Sequence, residues 1–386
     1  MLHDPERHTA IDAGPWSSNV AEASIDAFVA DTLRDLAGHD LWPIHPLDRS
    51  PERSATLKTL YYGAAGMFWT LSELGAGVPA ATDILARARR AAAREADDLY
   101  PHARHSFLMG DAGFAMLQLK LGHAEPSDLQ LLETLTPGLG VPPTGIVWGC
   151  AGTLLALRFA FERTNDRRMH DDARGGLRSL LDARETNGLW VTDLNEHRDS
   201  MLSALHGYAA NMAAAIRVAP SDDLAGAVQS VLAEHALRDA DGVNWPLSAG
   251  STTRAVGRPP LLQYCNGAPG VIVCLGGFLD EAFEREYLLP AGELIWRAGP
   301  LTKLPSLCHG VAGSGFAFLR LFEMTEDTLW LDRARAFAMH GIRANARFIS
   351  EHGQRKYSLW TGDAGFVLFL RACIEGNAAF PTLDFF

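Results

Sequence analysis

VWGCAGTL (147–154) carries the pattern that decides the fold: a glycine, two residues, a second glycine, then an apolar run. The same register returns as YYGAAGMF (61–68), LMGDAGFA (108–115), LHGYAANM (205–212), CNGAPGVI (265–272), CHGVAGSG (308–315) and WTGDAGFV (360–367). Only the fourth copy lacks the second glycine, with Ala210 in its place. Successive first glycines stand 39 to 60 residues apart, room for two helices and two loops per unit. Self-similarity at that spacing is the mark of a repeat architecture.

The runs that follow the motifs, such as TLLALRFAF (153–161) and FAFLRLFEM (316–324), are apolar almost all round, as in helices buried on every side. These are the expected inner helices. Between them lie amphipathic segments with start signals, Ser24 ahead of Ile25, Phe28, Val29, Leu33 and Leu36, and Ser221 ahead of Leu224, Val228 and Val231. These are the expected outer helices. Sustained period-two alternation is missing, so no substantial sheet is expected. The expected fold is all-α, an α/α toroid of seven helical hairpins in a double ring, with an open solenoid of the same hairpins as the rival. Small residues at the motif allow neighbouring helices to approach where seven crowd together. Residues 1–386 are expected to form one toroid domain, with 1–20 a flexible N-terminal segment.

With 47% hydrophobic residues the chain can bury a large core. A net charge of -12 without clustered Lys and Arg argues against nucleic acid and leaves a peptide or small molecule as partner. The N-terminal stretch MLHDPERHTAIDAG lacks the pattern of a secretory signal, and no run of apolar residues is long enough for a membrane span. A cytoplasmic location is expected. Five cysteines, an odd number outside any small secreted framework, then point to metal or thiol chemistry rather than disulfides.

Two of those cysteines occupy one register position in consecutive repeats, Cys265 in the fifth motif and Cys308 in the sixth, and His309 follows Cys308 directly. Thiolate and imidazole together suit Zn2+, and three protein ligands leave one position of a tetrahedral ion open. The residues immediately ahead of the first glycines are Tyr62, Met109, Trp148, His206, Asn266, His309 and Thr361. Repeats four to six therefore bring His206, Asn266 and the metal ligands to one side of one end. His206 is the side chain suited to proton transfer near neutral pH. Cys150, Cys274 and Cys373 fall within inner-helix runs and read as core. Asp111 and Asp363 read as electrostatic support for helix N-termini.

Seven GxxG-type motifs, with CNG and CHG in copies five and six, resemble the lanthionine synthetase C family, the zinc-dependent cyclases of lanthipeptide biosynthesis and their stand-alone LanC-like relatives. The resemblance runs from Gly63 to the C-terminal FPTLDFF. It implies zinc on Cys265, Cys308 and His309, and an acid or base role for His206. Departures from the cyclase pattern are Gly145 where an aspartate is expected, Leu261 in place of an arginine, with Arg254 and Arg258 upstream, and Tyr264 and Asn266 flanking Cys265.

A substrate thiol at a site of two thiolates and a neutral imidazole ionises and stays electron-rich enough to attack. The resemblance supplies the electrophile, a dehydrated amino acid in a peptide. The expected activity is thiol addition, within one peptide or from a free thiol such as glutathione. His206 is the expected proton donor, and Tyr264 and Asn266 are expected to donate hydrogen bonds to the developing oxyanion. The alternatives are a zinc protein that binds a peptide or thiol without turnover, and a toroidal carbohydrate enzyme, which needs two facing carboxylates.

Overall fold

A computed structural model describes residues 1–37, 41–48, 58–76, 106–135, 145–194, 197–250 and 259–386. Seven helices begin one residue after the first glycine of each motif: α2 (Ala64–Glu73), α3 (Asp111–Lys120), α5 (Cys150–Thr164), α7 (Tyr208–Val218), α9 (Ala268–Leu275), α11 (Val311–Thr325) and α13 (Asp363–Glu375). Each packs on the next, and α13 packs on α2. The ring is closed, so the fold is the α/α toroid and not the open solenoid.

No side chain caps these seven helices. The approach loop does so instead, folding back so that a carbonyl seven residues upstream accepts from the first turn. Examples are Ala65 N to Lys58 O at 3.1 Å, Tyr208 N to Met201 O at 2.8 Å, Gly313 N to Ser306 O at 3.2 Å and Asp363 N to Lys356 O at 2.9 Å. Orphan donors at a helix start need such partners when water is excluded. In the six copies that keep it, the second glycine sits hard against the same loop. A Cβ on Gly270 would run into the Tyr264 carbonyl, and one on Gly313 into the Leu307 carbonyl and, at 2.8 Å, the Cβ of Tyr264 in the neighbouring repeat.

Outer helices are α1 (Ser18–Ala37), α4 (Pro126–Glu133), α6 (Arg167–Asp182), α8 (Asp222–His235), α10 (Leu289–Ala298) and α12 (Thr328–His352). Ser221 caps α8 as expected, its hydroxyl accepting from Leu224 N at 3.3 Å. The start read at Ser24 is wrong by six residues. Helix α1 begins at Ser18, Ser17 accepts from Val20 N at 3.4 Å, and Ser24 lies inside with its hydroxyl on the Val20 carbonyl. The outer partner of α2 lies outside the described residues. Helix α13 has no outer helix after it; α1, from the other end of the chain, packs against it. Two short hairpins, β1 (Thr192–Leu194) with β2 (His197–Asp199) and β3 (Leu237–Asp239) with β4 (Gly242–Asn244), are the described strands.

The join is stitched by charge. Arg355, in the loop before the seventh motif, reaches Asp31 of α1 at 2.8 Å and Asp363 at 3.2 Å, and Lys356 pairs with Asp48 at 2.9 Å. The N-terminal segment expected to be flexible is packed down: Leu2 is buried, its carbonyl accepts from Asn244 at 2.8 Å, and Thr9 N donates to Pro300 O at 2.9 Å.

Aromatic side chains fill the bore. Tyr264 stacks on Phe380 at 4.5 Å, Trp360 lies 5.7 Å from the same ring, and Phe386 stacks on Trp69 at 5.6 Å. Beside them Asp384 is held by Arg217 and Arg320 at 2.6 and 2.7 Å, near the C-terminal ends of α7 and α11. Among the described residues the interior of the ring is thus filled by side chains, and the motifs lie at its helix N-termini.

Two outcomes follow for stability. Gly313→Ala should destabilise by about 2–3 kcal/mol through overpacking, whereas Gly226→Ala, in α8 with open space around it, should gain about 0.5–1 kcal/mol; urea unfolding of both variants checks the contrast. Burial pushes the Asp363 carboxyl up to about 6, against Arg355, which lowers it. Its stabilising contribution is present below about pH 4 and is lost as pH rises through about 6, a difference of roughly 3 kcal/mol at most. The stability of the wild type should fall relative to Asp363→Asn across that window; parallel curves would show an ordinary carboxyl.

Candidate metal centre

The two residues ahead of each first glycine form the rim of the open end, and backbone hydrogen bonds link equivalent positions around it. Cys265 N donates to Cys308 O at 3.0 Å, Cys308 N to Trp360 O at 2.9 Å, Trp360 N to Tyr61 O at 3.1 Å and Tyr61 N to Leu108 O at 2.9 Å; Val147 N reaches Leu205 O at 3.4 Å. Cys265 and Cys308 are thus held side by side, as in two paired strands. Gly267, at φ +108, lets the fifth motif turn into α9 from that position.

The ligand atoms of Cys265, Cys308 and His309 all lie within 4.8 Å of one another, the one group of three possible metal ligands among the described residues. Tetrahedral coordination by two sulfurs and a nitrogen needs ligand atoms roughly 3.5–3.8 Å apart, a small contraction from this arrangement. Both cysteines are buried, and His309 is half-buried.

Electrostatics fits a cation here. A hydrogen bond from Cys308 holds the Cys265 thiol below the usual range, with Gln263 adding to the effect against burial. Giving that hydrogen bond, and burial, push the Cys308 thiol well up. Without a positive charge the pair can hold one thiolate and one thiol, because two buried like charges repel. A metal ion removes the conflict. Burial, with Lys303 and Lys356 nearby, lowers His309 to about 4, so its ring is neutral, the form that ligates.

Each sulfur also has its own donor. The Tyr61 hydroxyl gives a 3.0 Å hydrogen bond to Cys308 Sγ, and burial keeps that phenol protonated. Gln263 Nε2 donates to Cys265 Sγ at 2.9 Å, while Arg7 donates to Gln263 Oε1 at 3.4 Å. An arginine can only donate, so it turns the amide oxygen toward itself and the amide nitrogen toward the sulfur. Both sulfurs are addressed as acceptors, as thiolate ligands should be.

His206 stands on the same rim, one repeat away from Cys265. Its ring lies 6.1 Å from that of Trp148 at an interplanar angle of 18°, and Trp148 Nε1 donates to His206 Nδ1 at 3.1 Å. Burial lowers His206 to about 4, so the ring is uncharged at neutral pH. Asn266 Nδ2 lies 3.5 Å from Cys265 Sγ, and its side-chain oxygen is buried without a partner. Tyr264 does not join the site. Its backbone lies on the rim, but its ring turns down the bore and its hydroxyl meets Cys274 Sγ at 3.8 Å, so the expected oxyanion role is removed.

Gly145 adopts φ +93, donates to Asn211 Oδ1 at 2.8 Å and sits so close to His206 that a Cβ would lie 2.7 Å from the His206 Cα. No carboxylate can be held from this position. Arg254 and Arg258 lie outside the described residues. Cys150, Cys274 and Cys373 are buried, and burial pushes Cys274 up to about 11. Asp363 is buried in its pair with Arg355 whereas Asp111 is exposed, so these two are not the facing carboxylates a carbohydrate enzyme would need.

Tyr61, Trp148, Gln263, Arg7 and Lys303 were missed as site residues. Tyr61 and Trp148 occupy the register positions that identified Cys265 and His206, so the motif alignment held the signal. Gln263 carries none beyond nearness to Cys265, and Arg7 comes from 256 residues away.

A closed α/α toroid with a two-cysteine, one-histidine cluster on its rim defines the class. The lanthionine synthetase C-like protein family matches residues 54–385, and the chain belongs to that family. It is 27% identical over 311 residues to "Glutathione S-transferase LANCL1" of Danio rerio, covering 72% of this chain and 74% of that protein. It is 36% identical over 129 residues to "LanC-like protein GCL1" of Arabidopsis thaliana, 32% of this chain and 28% of that one. The solved structure of nisin cyclase superposes with a TM-score of 0.61 at 16% identity, over 90% of this chain and 93% of that one, and shares the fold.

Titration with cobalt(II) should produce thiolate-to-metal absorption in the wild type and in Cys274→Ala, and none in Cys265→Ala or Cys308→Ala. A wild type without the band overturns the metal centre.

Proposed function

We propose that the chain is a zinc-dependent thiol-addition enzyme, in which Cys265, Cys308 and His309 hold Zn2+ and a thiol adds to a dehydroamino acid of a peptide. The observation that carries this reading is the buried ligand cluster with a donor on each sulfur, set on the same rim as His206 and Asn266. Membership of the family and likeness to a protein called a glutathione S-transferase support it.

Bound zinc supplies Lewis acidity that lets a thiol beside it exist as thiolate near neutral pH. The residues do the rest. Arg7, Lys303 and Lys356 place positive charge around His309, with Lys356 balanced by Asp48, and favour a thiol that carries carboxylates, such as glutathione. The thiol loses its proton and its sulfur bonds to the β-carbon of the dehydroamino acid. The alkene pair shifts onto the adjoining carbonyl as an enolate, and the α-carbon then takes a proton. His206 and Asn266 can donate hydrogen bonds to that oxygen as its charge grows. Trp148, against His206, and Tyr62, packed on Tyr61, are partly buried and offer aromatic surface to the peptide.

Gly145, with no space for a carboxylate, favours addition of a free thiol over ring closure within one peptide, and also leaves a non-catalytic zinc protein as the second reading. Five cysteines without a disulfide partner support a cytoplasmic location, and among the described residues no helix is long and apolar enough to cross a membrane.

Purified protein should contain one zinc per chain and join glutathione to a dehydroalanine peptide, read by mass spectrometry. Cys308→Ala should lose zinc and adduct together. His206→Ala should keep zinc and lose about a hundredfold or more in rate, the scale for one oxyanion donor. Zinc without adduct across several thiols would leave the binding protein.

A further inference from the structure

We infer that Trp148 is a positioning residue that locks His206 as the neutral Nε2–H tautomer, so that His206 presents a fixed hydrogen-bond donor on the rim rather than a base or an imidazolium. The inference rests on the reading above for the role of His206, but its central observation does not. The indole N–H can donate and cannot accept. At 3.1 Å from it, His206 Nδ1 must offer a lone pair, and the single ring proton is then on Nε2. A proton on Nδ1 would set two N–H groups against each other at that distance. The two ring planes lie within 18° of each other, with centroids 6.1 Å apart.

The rest of His206 is pinned as well. Its amide donates to Ser203 Oγ at 3.0 Å and its carbonyl accepts from Thr192 Oγ1 at 2.9 Å. Gly145 lies against its backbone, so the ring cannot retreat from Trp148 by a shift of the main chain. Nε2 makes no hydrogen bond among the described residues and is not sequestered as a buried unpartnered atom. Trp148 and His206 are the residues directly ahead of the first glycine in consecutive repeats, which is why the toroid sets them beside each other. Burial, which lowers His206 to about 4, acts in the same direction.

The chemical consequence is a division of labour. If the Nε2–H proton were transferred outright while Trp148 occupied Nδ1, an imidazolate would remain, at prohibitive cost in a buried ring. His206 instead keeps its proton and stabilises the enolate oxygen. The thiol proton leaves to solvent, and water supplies the proton that reaches the α-carbon, so the net reaction joins one thiol and one alkene with no proton gained or lost. The geometry of this donor, set by the protein before substrate arrives, requires no reorganisation during the reaction.

Long-range 1H–15N spectra of the full-length, zinc-loaded protein test this directly, with the His206 signals assigned by their loss in His206→Gln. The wild type should show a protonated Nε2 and an unprotonated Nδ1. Trp148→Phe keeps an aromatic ring but removes the N–H; it should give a mixture of tautomers and a kcat for thiol addition lowered about tenfold or more, with KM for the thiol little changed. His206→Gln, whose amide can still donate, should retain more activity than His206→Ala. A wild-type Nδ1–H, or a tautomer ratio unaltered in Trp148→Phe, overturns the inference. A wild type with the locked tautomer but no addition activity would instead refute the proposed reaction and leave the tautomer lock in place.

Discussion

A band of backbone hydrogen bonds around the open end of the toroid is the constraint on which the site depends. It joins the residue two places ahead of the first glycine to its counterpart in the next repeat through Cys265, Cys308, Trp360, Tyr61 and Leu108 in unbroken succession, and joins Val147 to Leu205. Because the bonds are made by the main chain, they hold register whatever the side chain, and each repeat can place a different chemical group at an equivalent point. Two repeats place thiols there, one a phenol and one an indole. In the six copies that keep it, the second glycine lets the first helical turn sit close on the carbonyl beneath it, where a Cβ would collide.

The same geometry creates an electrostatic problem that a cation would resolve. Two sulfurs brought together in a buried place cannot both ionise, yet Tyr61 and Gln263 both donate toward them. Protein donors arranged for two thiolates and a neutral imidazole at His309 describe a site built around positive charge. Gln263 gains its orientation from Arg7, so the N-terminal segment is part of the site's outer layer as well as of the fold.

The two ends of the ring have opposite characters for a physical reason. At the C-terminal ends of the inner helices the chain's last residues turn in, with Asp384 between Arg217 and Arg320 and the phenylalanines stacked within the bore. Among the described residues the bore is filled, and the candidate ligands stand on the rim. That filling explains Tyr264: the apolar interior claims its ring, and its hydroxyl is satisfied by Cys274 instead of by the site.

The sequence by itself determined the number of repeats, the helix starts, the all-α class and the three candidate ligands, because these follow from local pattern and from register between repeats. It read an outer-helix start at Ser24, six residues late, because an internal Ser that bonds the preceding turn resembles a cap. Only the tertiary structure decided that the ring closes, with α1 covering α13, since closure depends on contacts between the chain's two ends. It alone showed which way side chains face: Tyr264 away from the sulfurs, Tyr61 toward them, and Trp148 against His206. Register places Cα atoms, but the direction of a side chain is settled by what fills the space beside it, and here those neighbours come from distant parts of the chain.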